Sequence, residues 1–399
     1  RKRQAPVAFS GLEVTPITLG IYKVPGVFSE CAEPLRLQKK PTLRTRIVNN
    51  EKTPHAACEA VMAQIAVGQH QAAWDALKTL AQTYPHHAPV FRLQGGVLQQ
   101  AGEWALALAC FQQALMLDAN DTQSQAGAAR CLFTLGRLPE ARVHFRQALR
   151  CQCEQPRHAE GEPPSPAPFD HRAAEKTLWQ VLAQLAAAGV NAFPTSGTLL
   201  GLVREGHLLP FDKDLDIGLP FAQMEAAAAC LQAAGWQRKV NIQGLVNPQE
   251  WHGHGVALDL CGFLPDAASG RVLSGFWFES PEHPWSRVTE FNDFTLRPLD
   301  TADGQVWQLA DPEAILVPLY GDNWRLPDPD FDTVIGAHNL RSGSLLTECY
   351  ALARILNTWI MGQYKKARAL LGHALRHLPD DPLLHQAAAK LGMPDTPNP

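Results

Sequence analysis

A repeat of 34 residues in the first part of the chain is the feature that most restricts its fold. Glycines recur at Gly68, Gly102 and Gly136, and each is followed at fixed offsets by a small and then a large apolar residue. The positions five, nine and twelve residues after each glycine hold Ala73, Leu77 and Leu80; Ala107, Phe111 and Ala114; and Ala141, Phe145 and Ala148. Glycine permits a tight turn, alanine lets two helices approach, and a large residue fills the groove between hairpins. Such a period predicts stacked helical hairpins.

The pattern resembles the tetratricopeptide repeat, and it returns near the C-terminus. There, Gly362 is followed at matching offsets by Ala367, Leu371, Ala374 and Pro379. A further hairpin is therefore expected over about residues 345–380, and Asp381-Pro-Leu-Leu is expected to open another helix. The distance from Gly136 to Gly362 is not a multiple of the period, so a different domain must lie between them.

The central part of the chain reads as a mixed α/β domain. It follows a segment between Glu154 and Asp170 that is rich in proline and is expected to be a stiff linker. Beyond it, helical and strand patterns alternate, with strands predicted over 212–219, 236–242, 256–263 and 275–278. The expected fold class is multidomain, with all-α helical repeats and a mixed α/β domain.

Composition and charge narrow the classes of function. The net charge of -4 gives no reason to expect nucleic acid as a partner, and no apolar run is long enough to span a membrane. The cysteines are scattered and no signal peptide is recognisable, so a reducing cytoplasm is expected. The lone pair Cys151 and Cys153 does not predict a zinc site, because no second pair follows it. The first fifty residues are locally basic. A solvated tail is favoured there over a peripheral contact with an anionic membrane surface.

Alternating aspartates in the central domain predict a metal site. In an extended segment Asp212, Asp214 and Asp216 project from one face, and Leu215 and Ile217 project from the other. Carboxylates this close repel one another unless protons or a cation neutralise them. Mg²⁺, or Mn²⁺ in its place, is the expected ion, since Mg²⁺ is commonly held by one or two carboxylates together with substrate phosphates. A solvated acidic loop is the alternative, which the flanking apolar residues disfavour.

Two further segments are candidates for the same site. Asp259 lies in an apolar strand pattern and needs a partner or a function there. It either shares a cation with Asp214 and Asp216 or acts as a general base towards an acceptor hydroxyl. Upstream, Ser196-Gly197-Thr198 precedes a short helix and is interpreted as a phosphate cradle, although an ordinary helix cap gives the same pattern. Arg204 either clamps a donor phosphate or forms a surface ion pair.

These residues resemble the signature of the LicD/fukutin family, which has the nucleotidyltransferase fold. The resemblance rests on Gly197-Thr-Leu-Leu-Gly-Leu-Val-Arg204, on Leu209-Pro-Phe-Asp-Lys-Asp-Leu-Asp-Ile-Gly218 and on Leu319-Tyr-Gly-Asp-Asn-Trp-Arg-Leu-Pro327, and it covers about residues 172–335. Asp259 matches the family's later strand carboxylate. Phe211, which stands where the family often has Trp, and Lys213, between the first two aspartates, depart from the pattern.

The resemblance implies a metal-dependent transferase. It would move a phospho-alcohol or phospho-sugar group, such as phosphocholine or ribitol phosphate, from a CDP-type nucleoside-diphosphate donor to a hydroxyl of a glycan. Asp214, Asp216 and Asp259 would be catalytic, the metal would be held by these and Asp212, and Ser196, Gly197, Thr198 and Arg204 would bind the donor. Two alternatives stay open, a nucleotidyltransferase acting on a small molecule and a scaffold whose repeats bind a protein or peptide while the central domain is inactive.

The predicted domains are a basic segment without assignment (1–53), tetratricopeptide-like repeats (54–153), a linker (154–171), the catalytic domain (172–338) and C-terminal helices (339–399). His252 and His254 match no family element. They are either metal ligands or acid–base groups, or, as is favoured, surface loop histidines.

Overall fold

The structure, a computed structural model, describes residues 53–156, 160–161, 170–210, 212–341 and 343–394. Most of the basic segment predicted over residues 1–53 and most of the proline-rich linker lie outside these ranges. No helix in the described part of the chain is both long and apolar enough to cross a membrane.

Antiparallel helical hairpins form the N-terminal part. The helices are α1 (Pro54–Ala66), α2 (His70–Thr83), α3 (Ala88–Gln100), α4 (Trp104–Leu117), α5 (Thr122–Thr134) and α6 (Leu138–Glu154). The starts of α2, α4 and α6 are spaced by the predicted 34 residues, and so are those of α3 and α5. Gly68, Gly102 and Gly136 precede the second helix of each hairpin with positive φ angles of 76°, 79° and 74°. The repeat pattern therefore specifies the turns as well as the helices.

Small residues set how closely these helices pack. Ala107 and Ala141 are fully buried, and the ring of Phe111 lies in the groove between α3 and α5. A Cβ added at Gly127 would stand 2.4 Å from that ring, so only glycine leaves room for the aromatic side chain there. These contacts confirm the predicted roles of the small and large positions.

The central α/β domain follows the repeats. It begins with α7 (His171–Ala187), β1 (Phe193–Pro194), α8 (Ser196–Arg204), β2 (Asp214–Pro220), a 3₁₀ turn (Phe221–Gln223) and α9 (Met224–Ala233). It continues with β3 (Gln237–Arg238), β4 (Gln249–Gly253), β5 (Val256–Asp266), β6 (Arg271–Phe276), β7 (Arg287–Phe291), β8 (Leu296–Thr301), β9 (Gly304–Leu309), α10 (Glu313–Tyr320) and α11 (Thr333–Gly336). The predicted strand over 212–219 starts two residues later, and the one over 236–242 shrinks to two residues.

Within the described residues, seven strands form a mixed sheet. Its main order is β1-β2-β5-β4-β3, with β2 parallel to β5 and the other pairs antiparallel. The C-terminal part of β5 also pairs with β6, which pairs in turn with β7. Strands β8 and β9 form a separate hairpin. The parallel β2–β5 pair lies in the interior of the sheet, where apolar side chains cover one face.

The C-terminal helices α12 (Leu345–Ile360), α13 (Tyr364–His377) and α14 (Pro382–Lys390) resume the helical array. Helix α12 packs against α6, and one hydrophobic core contains both Phe145 of α6 and Leu356 of α12. The guanidinium of Arg146 on α6 donates to Glu348 at 3.1 Å and to Asp381, the N-cap of α14. The α/β domain is therefore inserted between two hairpins of one continuous array.

A glycine turn of the array also contacts the inserted domain. Gln243 donates from Nε2 to the carbonyl of Phe133 at 3.0 Å. A Cβ at Gly136 would lie 2.8 Å from the carbonyl oxygen of Gln243, so the backbones approach closely only because this residue is glycine. The array and the inserted domain are thus in direct contact.

Candidate active site

Two paired strands bring acidic side chains together. In the parallel β2–β5 pair, Asp216 is the register partner of Asp259, and Asp214 lies two residues earlier on the same face. Leu215 and Ile217, which alternate with the aspartates, are fully buried on the other face. Neighbouring strands lie about 4.8 Å apart, so the Asp216 and Asp259 side chains start from adjacent positions.

Asp212 reaches the same group from the loop before β2. It is half-buried, and its Oδ2 is buried without a hydrogen-bond partner in the described structure. A Cβ added at Gly197 would lie 2.8 Å from this oxygen. Gly197 therefore leaves the space that the Asp212 carboxylate occupies.

The Ser-Gly-Thr turn at the start of α8 holds Asp216. The backbone N–H of Gly197 donates to Oδ2 of Asp216 at 3.0 Å, and the backbone N–H of Asp216 donates to Oγ1 of Thr198 at 2.8 Å. Thr198 is fully buried, whereas Ser196 has a φ of 45° and lines the adjoining cleft. Of the three residues, Thr198 thus contacts the carboxylate strand and Ser196 faces the space where a ligand would lie.

An open cleft of about 1170 Å³ adjoins the carboxylates. One wall carries the four aspartates predicted as site residues, Asp212, Asp214, Asp216 and Asp259, together with Ser196, Gly197 and Arg204. Strand β7, the segment between α10 and α11, and helices α12 and α13 also line the cleft. The structure therefore places all the sequence-predicted site residues except Thr198 on one cleft.

Burial and mutual repulsion raise the pKa values of these carboxyls. Burial, with the nearby Asp214, raises the pKa of Asp212 to about 6. Burial, with Asp214 and Glu250, raises the pKa of Asp259 to about 7. Burial, followed by the neighbouring carboxylates, also raises the pKa of Asp216 well above its ordinary value. Without a cation, these carboxyls therefore keep their protons to a higher pH than isolated carboxyls do.

The wall that carries the four aspartates suits a divalent cation, since its side chains offer oxygen ligands and can carry negative charge. Carboxylate oxygens are ligands that Mg²⁺ prefers, and the buried Oδ2 of Asp212 has no donor of its own in the described structure. Among the described residues, however, no three His, Cys, Asp or Glu side chains are close enough to enclose a metal ion. The residues therefore fit an ion that completes its coordination with oxygens of a ligand.

Arg204 and Tyr320 border the carboxylates from the α8 and α10 side. Arg204 pairs with Glu205 through Nε at 2.8 Å and donates from Nη1 to the carbonyl of Trp324 at 3.4 Å. Burial, with Asp216 and Asp212 nearby, raises the pKa of Tyr320 well above its ordinary value. Trp324 is buried in the hydrophobic core and also lines the cleft, as its place in the predicted closing motif suggests.

One residue beside the acidic site, Glu250, escapes prediction from the sequence. Glu250 on β4 is the register partner of Asp259 and is paired with Lys239 at 2.8 Å. A strand there was not expected, because prolines and glycines flank its single large apolar residue, Trp251. The exposed His252 contacts Glu250, and the exposed His254 contacts the carbonyl of Ala234, and neither lines the cleft.

The sequence of the inserted domain matches one family model. Residues 189–300 match LicD/FKTN/FKRP, nucleotidyltransferase domain. The match extends from the end of α7 into β8, and it includes both carboxylate strands and the Ser-Gly-Thr turn. It supports a transferase of the phosphotransferase type for this part of the chain.

The other comparisons add little to this match. No curated protein matches the chain significantly. A structure titled as a T3SS complex from Aeromonas hydrophila is 25% identical over 26% of this chain and 69% of its own, with a TM-score of 0.25. The lincomycin-bound lincosamide adenylyltransferase LnuA is 16% identical over 34% of this chain and 80% of its own, with a TM-score of 0.26. The antibiotic-resistance factor ANT(2'')-Ia is 14% identical over 52% of this chain and 95% of its own, with a TM-score of 0.25. These scores are too low to show a shared fold.

Proposed function

We propose that the inserted domain transfers a phospho-alcohol or phospho-sugar group, such as phosphocholine or ribitol phosphate, from a CDP-type donor to a glycan hydroxyl. The observation that carries the proposal is the pairing of Asp216 with Asp259 on adjacent strands, with Asp212 and Asp214 beside them on one cleft wall. The family match over residues 189–300 supports the class of reaction.

In this proposal Asp212, Asp214, Asp216 and Asp259 are the candidate ligands of Mg²⁺, or Mn²⁺. Since no three of the described carboxylates enclose one point, one or two of them would bind the ion and oxygens of the donor diphosphate would complete its coordination. When bound, such an ion neutralises charge on the diphosphate and on the leaving nucleotide. Gly197 and Thr198 position Asp216 through the two hydrogen bonds described above. Ser196 and Arg204 face the cleft where the donor phosphates are expected.

Asp259 is the proposed general base. The acceptor oxygen forms a bond to the phosphorus of the transferred group, the bond from that phosphorus to the leaving nucleoside monophosphate breaks, and the hydroxyl proton passes to the Asp259 carboxylate. In the metal-free protein burial, with Asp214 and Glu250 nearby, raises the pKa of Asp259 to about 7, which favours transfer of a proton to this carboxylate. The repeats, in this proposal, dock a protein or peptide partner or present the acceptor.

Thermal shift with CDP, UDP and GDP conjugates, with and without Mg²⁺, tests the proposal. A ligand at a hundred times its Kd stabilises the folded protein by about 2.7 kcal/mol, which such an assay detects. We expect stabilisation by CDP conjugates that requires Mg²⁺, and release of CMP when a glycan acceptor is supplied. Asp216→Asn is expected to abolish both.

Asp266→Asn is the matched control, since Asp266 lies on the same strand β5 but outside the cleft lining. It is expected to behave as wild type in ligand binding. Binding of Mg²⁺ and CDP that survives Asp216→Asn would refute the proposed site. Stabilisation by nucleoside triphosphates alone would favour a small-molecule nucleotidyltransferase, and no shift with any nucleotide would favour a scaffold.

A further inference from the structure

The part of the cleft formed by β7, α12 and α13 is basic, and we call it the basic wall. It carries Arg287 of β7, Arg354 of α12, and His373 and Arg376 of α13. Arg354, His373 and Arg376 belong to the C-terminal hairpin of the helical array, whereas Arg287 belongs to the inserted domain. The wall therefore exists only because the array folds back onto the domain inserted in it.

Most of this positive charge is not neutralised by carboxylates. Arg287 is 4% exposed and donates to the carbonyls of Thr333 and Val334, which are neutral. Arg376 donates to the carbonyl of Gly336 at 3.1 Å and contacts His373. Among the described residues, neither guanidinium has a carboxylate within ion-pair distance. Backbone carbonyls fix the orientation of both groups and leave the charge available.

The carboxylates near the basic wall neutralise only part of its positive charge. Asp332 pairs with Arg354, and Asp328 lies exposed at the mouth of the cleft. Lys366, which donates to the carbonyls of Pro329 and Phe331 at 3.0 Å, adds a further cation behind the wall. Burial, with Arg376 nearby, lowers the pKa of His373 to about 4, so this histidine adds no charge at neutral pH. A buried guanidinium such as Arg287 is costly unless an anion accompanies it.

Arg287 belongs to the same sheet as the carboxylates. It lies on β7 as the register partner of Phe276 on β6, and β6 pairs with the C-terminal part of β5, the strand that carries Asp259. The ring of Tyr350 lies 5.7 Å from the guanidinium carbon of Arg354, and Asp259 is near enough to contribute to the raised pKa of this tyrosine. The basic wall and Asp259 therefore line one continuous cleft.

We infer that Arg287, Arg354 and Arg376 form a binding site for a phosphate or carboxylate group of the acceptor. The inference rests on the proposed function, in which the donor diphosphate binds at the aspartates. Guanidinium groups bind such oxyanions through paired hydrogen bonds, and the three arginines line the same cleft as Asp259. The acceptor is therefore an anionic glycan, and the helical array takes part in selecting it.

Binding of inorganic phosphate in EDTA tests the site without nucleotide or metal. Calorimetry on the full chain is expected to show saturable binding that weakens about tenfold in Arg376→Gln, since one charge-assisted contact is lost. Arg376→Lys keeps the charge but not the planar guanidinium group. Its affinity for phosphate is expected to lie between those of wild type and Arg376→Gln. Arg354→Gln is a second variant. Arg287 is left intact because it anchors the 333–334 backbone.

Arg368→Gln is the matched control, because Arg368 lies on the same helix α13 but does not line the cleft. Equal binding by Arg376→Gln and wild type, or equal weakening in Arg368→Gln, would overturn the inference. Displacement of phosphate by CDP in EDTA would assign the site to the donor and overturn the acceptor assignment. Asp216→Asn is expected to bind phosphate as wild type does, so the outcome is separate from that of the Mg²⁺ and CDP test above.

Discussion

Replacing Asp259 with asparagine is expected to stabilise the metal-free protein, and to do so only at high pH. The pKa of this carboxyl rises from 3.8 to about 7 on folding. A raised pKa means that the folded state binds the proton more tightly than the unfolded chain does. The contribution of Asp259 to stability is therefore complete below pH 4 or so, and it is lost as the pH rises through about 7.

The size of the effect follows from the pKa difference. Each tenfold change in proton affinity corresponds to about 1.4 kcal/mol, so the full loss is about 4 kcal/mol. Of this loss of stability, about 2.5 kcal/mol occurs between pH 5 and pH 8. Asparagine has nearly the same shape as aspartic acid and does not ionise. The difference in opening free energy between Asp259→Asn and wild type should grow by this amount over that range.

Hydrogen–deuterium exchange of peptides covering 256–266 measures the effect where it arises, since exchange reports local opening. Variant and wild type are compared at the same pH, which removes the pH dependence of intrinsic exchange. The protection ratio is expected to rise roughly 70-fold from pH 5 to pH 8. Mg²⁺ at pH 8 should restore protection in wild type and not in Asp259→Asn.

Asp266→Asn on the same strand provides a control of opposite sign. Hydrogen bonds from Ser269 and from the backbone of Ala268 lower the pKa of Asp266, so its carboxylate stabilises the fold above its ordinary pKa. Its removal should therefore reduce protection at neutral pH. A protection ratio for Asp259→Asn that is the same at pH 5 and pH 8 would show that folding does not raise this pKa.

Three further substitutions probe the site and the array. Gly197→Ala places a Cβ against Asp212, and it should weaken Mg²⁺-dependent nucleotide binding measured by calorimetry while the melting temperature stays within a few degrees. Thr198→Val leaves the backbone N–H of Asp216 without its acceptor, which should cost about 1–3 kcal/mol in urea unfolding and lower the affinity for metal. Leu356→Ala removes a side chain buried in the core shared with α6, and it should cost about 2–5 kcal/mol by the same measurement.

The 34-residue repeat predicts the helical array well because the residues that specify each turn and each close helix contact lie within one hairpin. A glycine at each turn and a small residue five positions later act within one hairpin, so their spacing alone predicts the starts of α2, α4 and α6. The expected helix at Asp381-Pro-Leu-Leu is confirmed as α14, capped by Asp381. Alternation likewise predicts which residues of β2 face the cleft, since Leu215 and Ile217 must be buried for that strand to lie inside the sheet.

The features that escape prediction depend on contacts between distant parts of the chain. That α12 docks on α6 follows from packing between segments about 200 residues apart, which no local pattern specifies. The basic wall could not be predicted from the sequence for the same reason. Arg287 on β7 and Arg376 on α13 are about 90 residues apart in the sequence, and only the folded chain brings both to one cleft. The hydroxyl of Thr198, predicted to help bind the donor, accepts a hydrogen bond from the backbone N–H of Asp216, a contact that the sequence does not indicate.

Helix α12 belongs to both the array and the cleft. One of its faces packs in the core of the array, and the other lines the cleft. Successive residues of an α-helix are rotated by about 100°, so residues two apart point in nearly opposite directions. On α12, Leu352 and Leu356 are buried in the core of the array, while Arg354 between them lines the cleft. Any change that shifts α12 against α6 must therefore also move a cation of the basic wall. Leu356→Ala, which lies outside the cleft, should for this reason weaken phosphate binding in EDTA as well as stability, whereas a cavity on the far side of the array, made by Leu77→Ala, should leave phosphate binding unchanged.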